Sequence, residues 1–145
     1  MPLRPLCMAL ALLAAPALAA DFRSIAESGT ILYDAPSVKA KRLFVVPRDY
    51  PVEIMVSVDQ WVKVRDLSGD LTWVERRALS DKRTVVVTAP VADVRQAPND
   101  KADLSFRAQQ GVALDLTELG ATGWARVRHR DGQTGFVRIN AVWGH

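Results

Sequence analysis

Hydrophobic and polar residues alternate in short runs along most of this chain, and one arrangement of such runs occurs twice. The first copy spans 61–79 and the second spans 124–142, aligned without a gap so that Trp124 matches Trp61. Each copy contains a run of period two, a turn with glycine and a second run, which is the pattern of a β-hairpin. The sequence therefore predicts repeated β-hairpins.

The repeat extends beyond these hairpins. Pro36 and Pro98 each follow a β-forming run and match at an offset one residue shorter than that of the tryptophans, so one residue is inserted in the second copy, within 117–123 by our interpretation. The segment 52–58 alternates strictly, which predicts a strand with one half-buried face. That face would consist of Val52, Ile54, Val56 and Val58.

Short strands at close spacing with Gly and Pro turns are typical of small closed barrels, and no segment beyond the start of the chain shows sustained helical periodicity. We place two units at residues 21–88 and 89–145. The β-forming run 84–88 would close the first unit, and Ala89–Pro90 would be the linker. We predict an all-β fold of two tandem small β-barrels, which pack together or share strands because units of this size have small cores.

Alternation divides each hairpin between a core face and an outer face. Trp73 and Phe136 are also predicted to be core residues, since one large aromatic helps to fill a small barrel. The small apolar residues predicted to face the core are Val62, Val64, Ala125 and Val127. The residues predicted to face outward are Trp61, Lys63, Arg65, Trp124, Arg126 and Arg128.

The start of the chain has the features of an export signal. A positively charged stretch precedes an apolar run at 6–15, which is too short to span a bilayer, and small residues follow it. We predict a signal peptide at residues 1–19, cleaved after Ala19 or, as a second choice, after Ala20. The mature protein would then be exported, periplasmic or otherwise extracytoplasmic, with no stable membrane span.

The composition argues against catalysis, cofactor binding and metal binding. Cys7 is the only cysteine and lies in the predicted signal, so the mature chain would have no thiol chemistry. Of two histidines, His145 is the last residue and His129 lies among arginines at a predicted turn. Carboxylates such as Asp66 are expected to stabilise turns. A net charge of +3 is too low for a typical nucleic-acid binder.

The repeated motif Trp-x-Lys/Arg-Val-Arg, then Ser-Gly or Asp-Gly, then aromatic-Val and Ala-Leu/Val resembles the C-terminal half of the bacterial SH3 domain. Nearly the whole mature chain is similar to an exported bacterial family with one or two SH3-like domains. The resemblance implies SH3-like barrels, an envelope location and recognition of cell-wall peptides or partner proteins. It departs at Thr72, where the family has a glycine that the second copy keeps as Gly135.

Trp61 and Tyr33 correspond to aromatic residues of the eukaryotic SH3 groove by this resemblance. Glu75 and Ala78, however, stand where that groove has proline and tyrosine, which disfavours polyproline recognition.

The outward-facing tryptophans and cations form the candidate binding surface. An aromatic beside a cationic row suits an extended ligand that carries carboxylates, such as a cell-wall peptide. The alternative is that each tryptophan is half buried under a loop and the cations are only solvated. The functional hypothesis is a non-catalytic exported module that binds peptidoglycan. The alternative function is an envelope protein–protein adaptor or regulatory scaffold with no wall affinity.

Overall fold

The structure, a computed structural model, describes residues 19–120 and 122–145. Apart from Ala19, the predicted signal peptide lies outside the described residues. Within the described ranges, no helix is long and apolar enough to cross a membrane.

The first unit is a seven-stranded antiparallel sheet with a single 3₁₀ turn at Arg76–Ala78. Its strands follow the order β3-β2-β6-β5-β4-β1-β7. They are β1 (Phe22–Ile25), β2 (Thr30–Tyr33), β3 (Arg42–Val46), β4 (Pro51–Val58), β5 (Trp61–Arg65), β6 (Leu71–Glu75) and β7 (Leu79–Ser80).

The second unit repeats this topology, with the order β10-β9-β13-β12-β11-β8-β14 and a 3₁₀ turn at Ile139–Ala141. Its strands are β8 (Thr84–Val87), β9 (Val91–Arg95), β10 (Leu104–Gln109), β11 (Ala113–Leu119), β12 (Trp124–Arg128), β13 (Thr134–Arg138) and β14 (Val142–Trp143). The tandem all-β fold predicted from the sequence is confirmed.

The strand β8 pairs with β11 and β14, both in the second sheet. Its predicted place at the end of the first unit is therefore wrong, and β8 is the counterpart of β1. A run of β-forming residues identifies a strand but not its partners, which come from hydrogen bonding at long range. Because pairing changes sheets between Ser80 and Thr84, we propose residues 81–83 as the junction of the units.

Each unit has its own apolar core, and the small residues predicted to face it are fully or nearly fully buried. Trp73 and Phe136 belong to neither core, so that prediction is wrong. Val74 and Val137 point inward, and strand alternation therefore turns the preceding aromatic to the outer face. The first core contains Ile25, Leu32, Val46, Val52, Val62, Val64 and Val74. The second contains Val85, Val87, Ala92, Val94, Ala108, Leu114, Ala125, Val127, Val137 and Val142.

The predicted single face of β4 is interrupted by a register shift between Ile54 and Val56. Beyond the shift the strand leaves the core, and Val56 and Val58 are 49% and 45% exposed. A β-bulge of this kind changes which side chains face inward, and strict alternation in the sequence cannot reveal it. The second unit has the equivalent shift between Leu116 and Glu118.

The two units pack against each other, as expected for small units without disulfides. The rings of Phe22 and Trp143 meet edge to face, with centroids 5.1 Å apart, and Phe22 is only 5% exposed. Arg83 lies over the Phe22 ring at 5.7 Å and donates a hydrogen bond to the carbonyl of Gly144 at 3.1 Å. An apolar contact and a polar contact therefore hold the same interface.

Lys82 bridges the units electrostatically, with its ammonium 3.3 Å from the Asp49 carboxylate and 3.0 Å from that of Asp115. The hydrogen bond with Asp115 is the largest cause that raises the pKa of Lys82 above its ordinary value of 10.5. A raised lysine pKa stabilises the fold fully below the unfolded value, and this contribution is lost as pH rises through the folded value.

We expect the free energy of unfolding to fall with pH above about 10.5 more steeply in the wild type than in Lys82→Gln. The difference should stay below about 1 kcal/mol, because the Lys82 side chain is 43% exposed and solvent screens its charge. Urea denaturation between pH 8 and 11.5 measures this effect. Equal slopes for the two proteins would show that the bridge contributes nothing.

Candidate functional site

The first unit has an open groove between β2, the end of β6 and the 3₁₀ turn, with a volume of about 430 Å³. Its lining mixes aromatic, aliphatic and charged groups of both signs. The lining residues are Ala26, Glu27, Gly29, Thr30, Ile31, Tyr33, Glu75, Arg77 and Ala78.

Strand register places three side chains together beside this groove. Trp61 is the direct cross-strand partner of Glu75, and Tyr33 is that of Trp73 on the same sheet. Directly paired residues project to one face of a sheet, so the Trp61, Glu75 and Tyr33 side chains share the outer face. The Tyr33 and Trp61 rings meet edge to face, 5.4 Å apart at 86°. Tyr33 is 5% exposed, which fixes it as the floor of the site.

The charged groups of the groove are partly paired with each other. Arg77 donates to the Glu75 carboxylate at 2.8 Å, and this hydrogen bond is the largest cause that raises the pKa of Arg77. The Arg77 side chain is 83% exposed, whereas that of Glu75 is 28% exposed. Exposed ion pairs of this kind are weak, so Glu75 stays accessible to a competing cation.

The corresponding position of the second unit is closed by its own side chains. Trp124 is the cross-strand partner of Arg138, whose guanidinium lies over the indole at 4.4 Å. Asp100 accepts two hydrogen bonds from Arg138, which lower the pKa of the Asp100 carboxyl. Trp124 is consequently only 6% exposed, and the predicted outward exposure of Trp124 is wrong.

Arg95 is a second difference between the two units, since it occupies the position that Tyr33 has in the first unit. It pairs in register with Phe136, as Tyr33 does with Trp73. Its guanidinium donates to the carbonyl of Ala102 at 2.9 Å and also contacts the Asp93 carboxylate. The second unit thus carries two internally bonded guanidinium groups where the first carries Tyr33 and Glu75.

The six residues predicted as a binding surface do not converge on one site, because Trp61, Lys63 and Arg65 lie in one sheet and the others lie in the second. Lys63 lies over the ring of Trp73 at 6.0 Å, and Arg65 is paired with Glu53 at 2.6 Å.

In the second unit Arg128 is paired with Asp115 at 3.2 Å, while Arg126 is exposed and has no carboxylate partner within 19–120 and 122–145. One cation of each row is therefore paired with a carboxylate. Trp61 lies beside the groove, next to its lining residues Tyr33 and Glu75.

Glu75, Arg77 and Glu27 were not identified as site residues from the sequence. Glu75 entered only as a departure from the polyproline groove, and the two others carry no motif. The available signal was the difference between copies, because Glu75 aligns with Arg138 and Tyr33 aligns with Arg95. A charge reversal beside an otherwise matched tryptophan marks a position where the copies have diverged.

Two titratable residues, Asp66 and His129, have a structural role in the turns of the central hairpins. The Asp66 carboxylate accepts hydrogen bonds from the backbone N–H groups of Ser68 and Asp70 at 2.9 and 3.1 Å. His129 occupies the equivalent position, and its Nδ1 accepts from the N–H of Asp131 at 3.2 Å. Both residues therefore close their turns, which was expected from the sequence for Asp66.

Comparison with known proteins reveals distant structural likenesses. No curated protein matches the chain in sequence. NlpC2 from Trichomonas vaginalis is 16% identical, with a TM-score of 0.38 over 86% of this chain and 48% of its own. NlpC1 from the same organism is 14% identical, with a TM-score of 0.37 over 89% of this chain and 47% of its own. An NlpC/P60 family protein from Bacillus cereus ATCC 10987 is 17% identical, with a TM-score of 0.36 over 85% and 56%. The chain spans about half the length of these structures.

The bacterial SH3 domain family matches the chain twice, at residues 26–81 and 88–144. The two matches follow the two units, and their boundaries leave β8 outside both. Together they cover well over half of the sequence. The resemblance found from the hairpin motif is confirmed, and the chain belongs to the bacterial SH3 domain family.

Proposed function

We propose that the protein is a non-catalytic, exported module that binds the peptide part of peptidoglycan through the groove of its first unit. Bacterial SH3 domains commonly bind peptidoglycan or envelope proteins, which supports a binding role at the cell envelope. The observation that carries the proposal is the asymmetry of the units. Trp61 contacts Tyr33 and pairs with Glu75, which both line an open groove, whereas Trp124 is covered by Arg138.

The groove offers the contacts that a short peptide needs. Trp61 provides aromatic surface for side-chain packing and is held by the buried Tyr33, while Glu75 and Arg77 offer an acceptor and a donor for charged groups. Cell-wall peptides carry carboxylates and amines on a short chain, so both signs of charge have a use. An extended peptide would lie along the groove between β2 and the 3₁₀ turn.

We expect Trp61→Ala to weaken co-sedimentation with purified peptidoglycan by about tenfold in apparent affinity, because aromatic side chains that contact a ligand often carry much of the binding energy. The matched control is Arg126→Ala, which removes an exposed cation of the second unit and should pellet like the wild type. Circular dichroism verifies that both variants are folded. Equal loss in the two variants, or none in Trp61→Ala, would contradict a site at this groove.

The adaptor function remains the second candidate, and the edge of the first sheet favours it. Strand β3 pairs only with β2 among the described strands and exposes 44% of Phe44 and 71% of Val45. Such an edge can receive a strand of a partner protein. Absence of wild-type sedimentation, together with a specific partner crosslinked through β3 in cells, would favour the adaptor.

A further inference from the structure

The second unit shows what kind of group its tryptophan site accepts. The guanidinium of Arg138 lies 4.4 Å from the centroid of Trp124, and the Asp100 carboxylate holds it there with two hydrogen bonds. A planar aromatic and a carboxylate together form a recognition site for a cation. In this unit the cation comes from the chain itself.

The first unit has the aromatic and the carboxylate, but its internal cation Arg77 is paired with the carboxylate. Trp61 and Glu75 are paired in the same register as Trp124 and Arg138. No cationic side chain lies over the Trp61 ring among the described residues, where Lys63 instead lies over Trp73. The carboxylate thus stands at the position from which Arg138 reaches its tryptophan in the other copy.

From this comparison we infer that the first-unit groove binds a protonated amine or guanidinium group of its ligand, which packs on Trp61 and donates to the Glu75 carboxylate. The inference rests on the proposed function and names the chemistry of the same site. Glu27, which also lines the groove, adds a second negative charge there. Arg77 is a weakly held competitor, because its pair with Glu75 is solvent-exposed.

The ligand cation most consistent with a wall peptide is the side-chain amine of its diamino acid. The peptide chain supplies the carboxylates that Arg77 can receive once Glu75 has exchanged partners. The amine of one ligand then pairs with Glu75, and a carboxylate of the same ligand pairs with Arg77. In the second unit the chain's own Arg138 already covers Trp124.

The test uses two synthetic peptides, L-Ala-γ-D-Glu-L-Lys-D-Ala-D-Ala and the same peptide acetylated on the lysine Nζ. Both are titrated into the ¹⁵N-labelled full chain, and the indole N–H signals of Trp61 and Trp124 are followed by NMR. The free amine should shift the Trp61 signal and leave Trp124 unmoved. Acetylation should weaken binding by about tenfold, since a hydrogen bond to a charged group is lost.

Three variants separate this role from a structural one. Glu75→Gln should weaken the free-amine peptide by about tenfold and leave the acetylated peptide unaffected. Arg77→Gln should weaken the acetylated peptide, because it removes the donor to the carboxylates of the ligand and this peptide has no amine that competes for Glu75. Arg138→Gln, the matched change in the second unit, should leave the Trp61 titration unchanged.

Equal affinity for the two peptides, or unchanged binding in Glu75→Gln, would overturn the inference. If peptidoglycan sedimentation still depended on Trp61, the proposed function would stand although the inferred amine contact would not. If the free-amine peptide bound at Trp61 while peptidoglycan did not pellet the protein, the inference would stand and the wall ligand would be rejected.

Discussion

Phe22→Ala is expected to lower the free energy of unfolding by about 3 kcal/mol. The ring is 5% exposed and lies outside the first apolar core, against Trp143 of the second unit and under Arg83. Truncation removes the apolar area of a large buried ring and leaves a cavity where the two units meet. The lost stability should therefore come from the contact between the units and not from either apolar core alone.

Urea denaturation followed by tryptophan fluorescence measures this loss. Phe44→Ala is the matched control, because the same truncation at a ring 44% exposed on β3 should change stability by less than about 0.5 kcal/mol. Similar midpoints for the two variants would mean that the interface does not contribute to stability.

The second large effect is expected at Gly135, where alanine should destabilise the protein by about 3 kcal/mol. A Cβ atom there would lie 2.7 Å from both the carbonyl oxygen of Arg95 and the Cγ1 of Val94. The carbonyl belongs to a neighbouring strand of the same sheet and cannot yield as a flexible side chain would. The loss of stability should therefore lie at the upper end of the range that is usual for overpacked substitutions.

Thr72 provides the comparison, since it holds the same position in the first unit. It is 1% exposed, and its hydroxyl has no hydrogen-bond partner in the described structure. Thr72→Val keeps the shape and removes an unsatisfied polar group, so we expect stability to rise by about 1 kcal/mol. Thermal unfolding of the two variants should move in opposite directions. A destabilised Thr72→Val would indicate that the hydroxyl has a partner in solution.

Much of the fold could be predicted because it depends on local alternation. The period-two pattern of β5 and β12 placed Val62, Val64, Ala125 and Val127 in the cores, where they lie. The same pattern failed in β4, where a bulge shifts the register, and at Trp73, where a large ring was assigned by size and not by its place in the strand. The partners of β8 depend on distant strands, which no local pattern contains.

The candidate site was harder to predict, because its shape depends on contacts between strands. Trp61 was identified, but its counterpart Trp124 looks equivalent in the sequence and is covered by Arg138, fourteen residues further along the chain. Whether an indole is open or covered is decided by the side chain across the strand pair, which requires the register. Glu75 became informative only when that register aligned it with Arg138.

The contact between Phe22 and Trp143 also bears on the order of folding. It joins strands at opposite ends of the described sequence, whereas the central hairpins β5–β6 and β12–β13 join neighbours. Closing so long a loop costs more chain entropy than closing a hairpin. The contact offsets this entropy cost only when both partners already present ordered surfaces. Each sheet should thus assemble around its central hairpin first, and the docking of Phe22 on Trp143 should be the late step that fixes the two halves as one body.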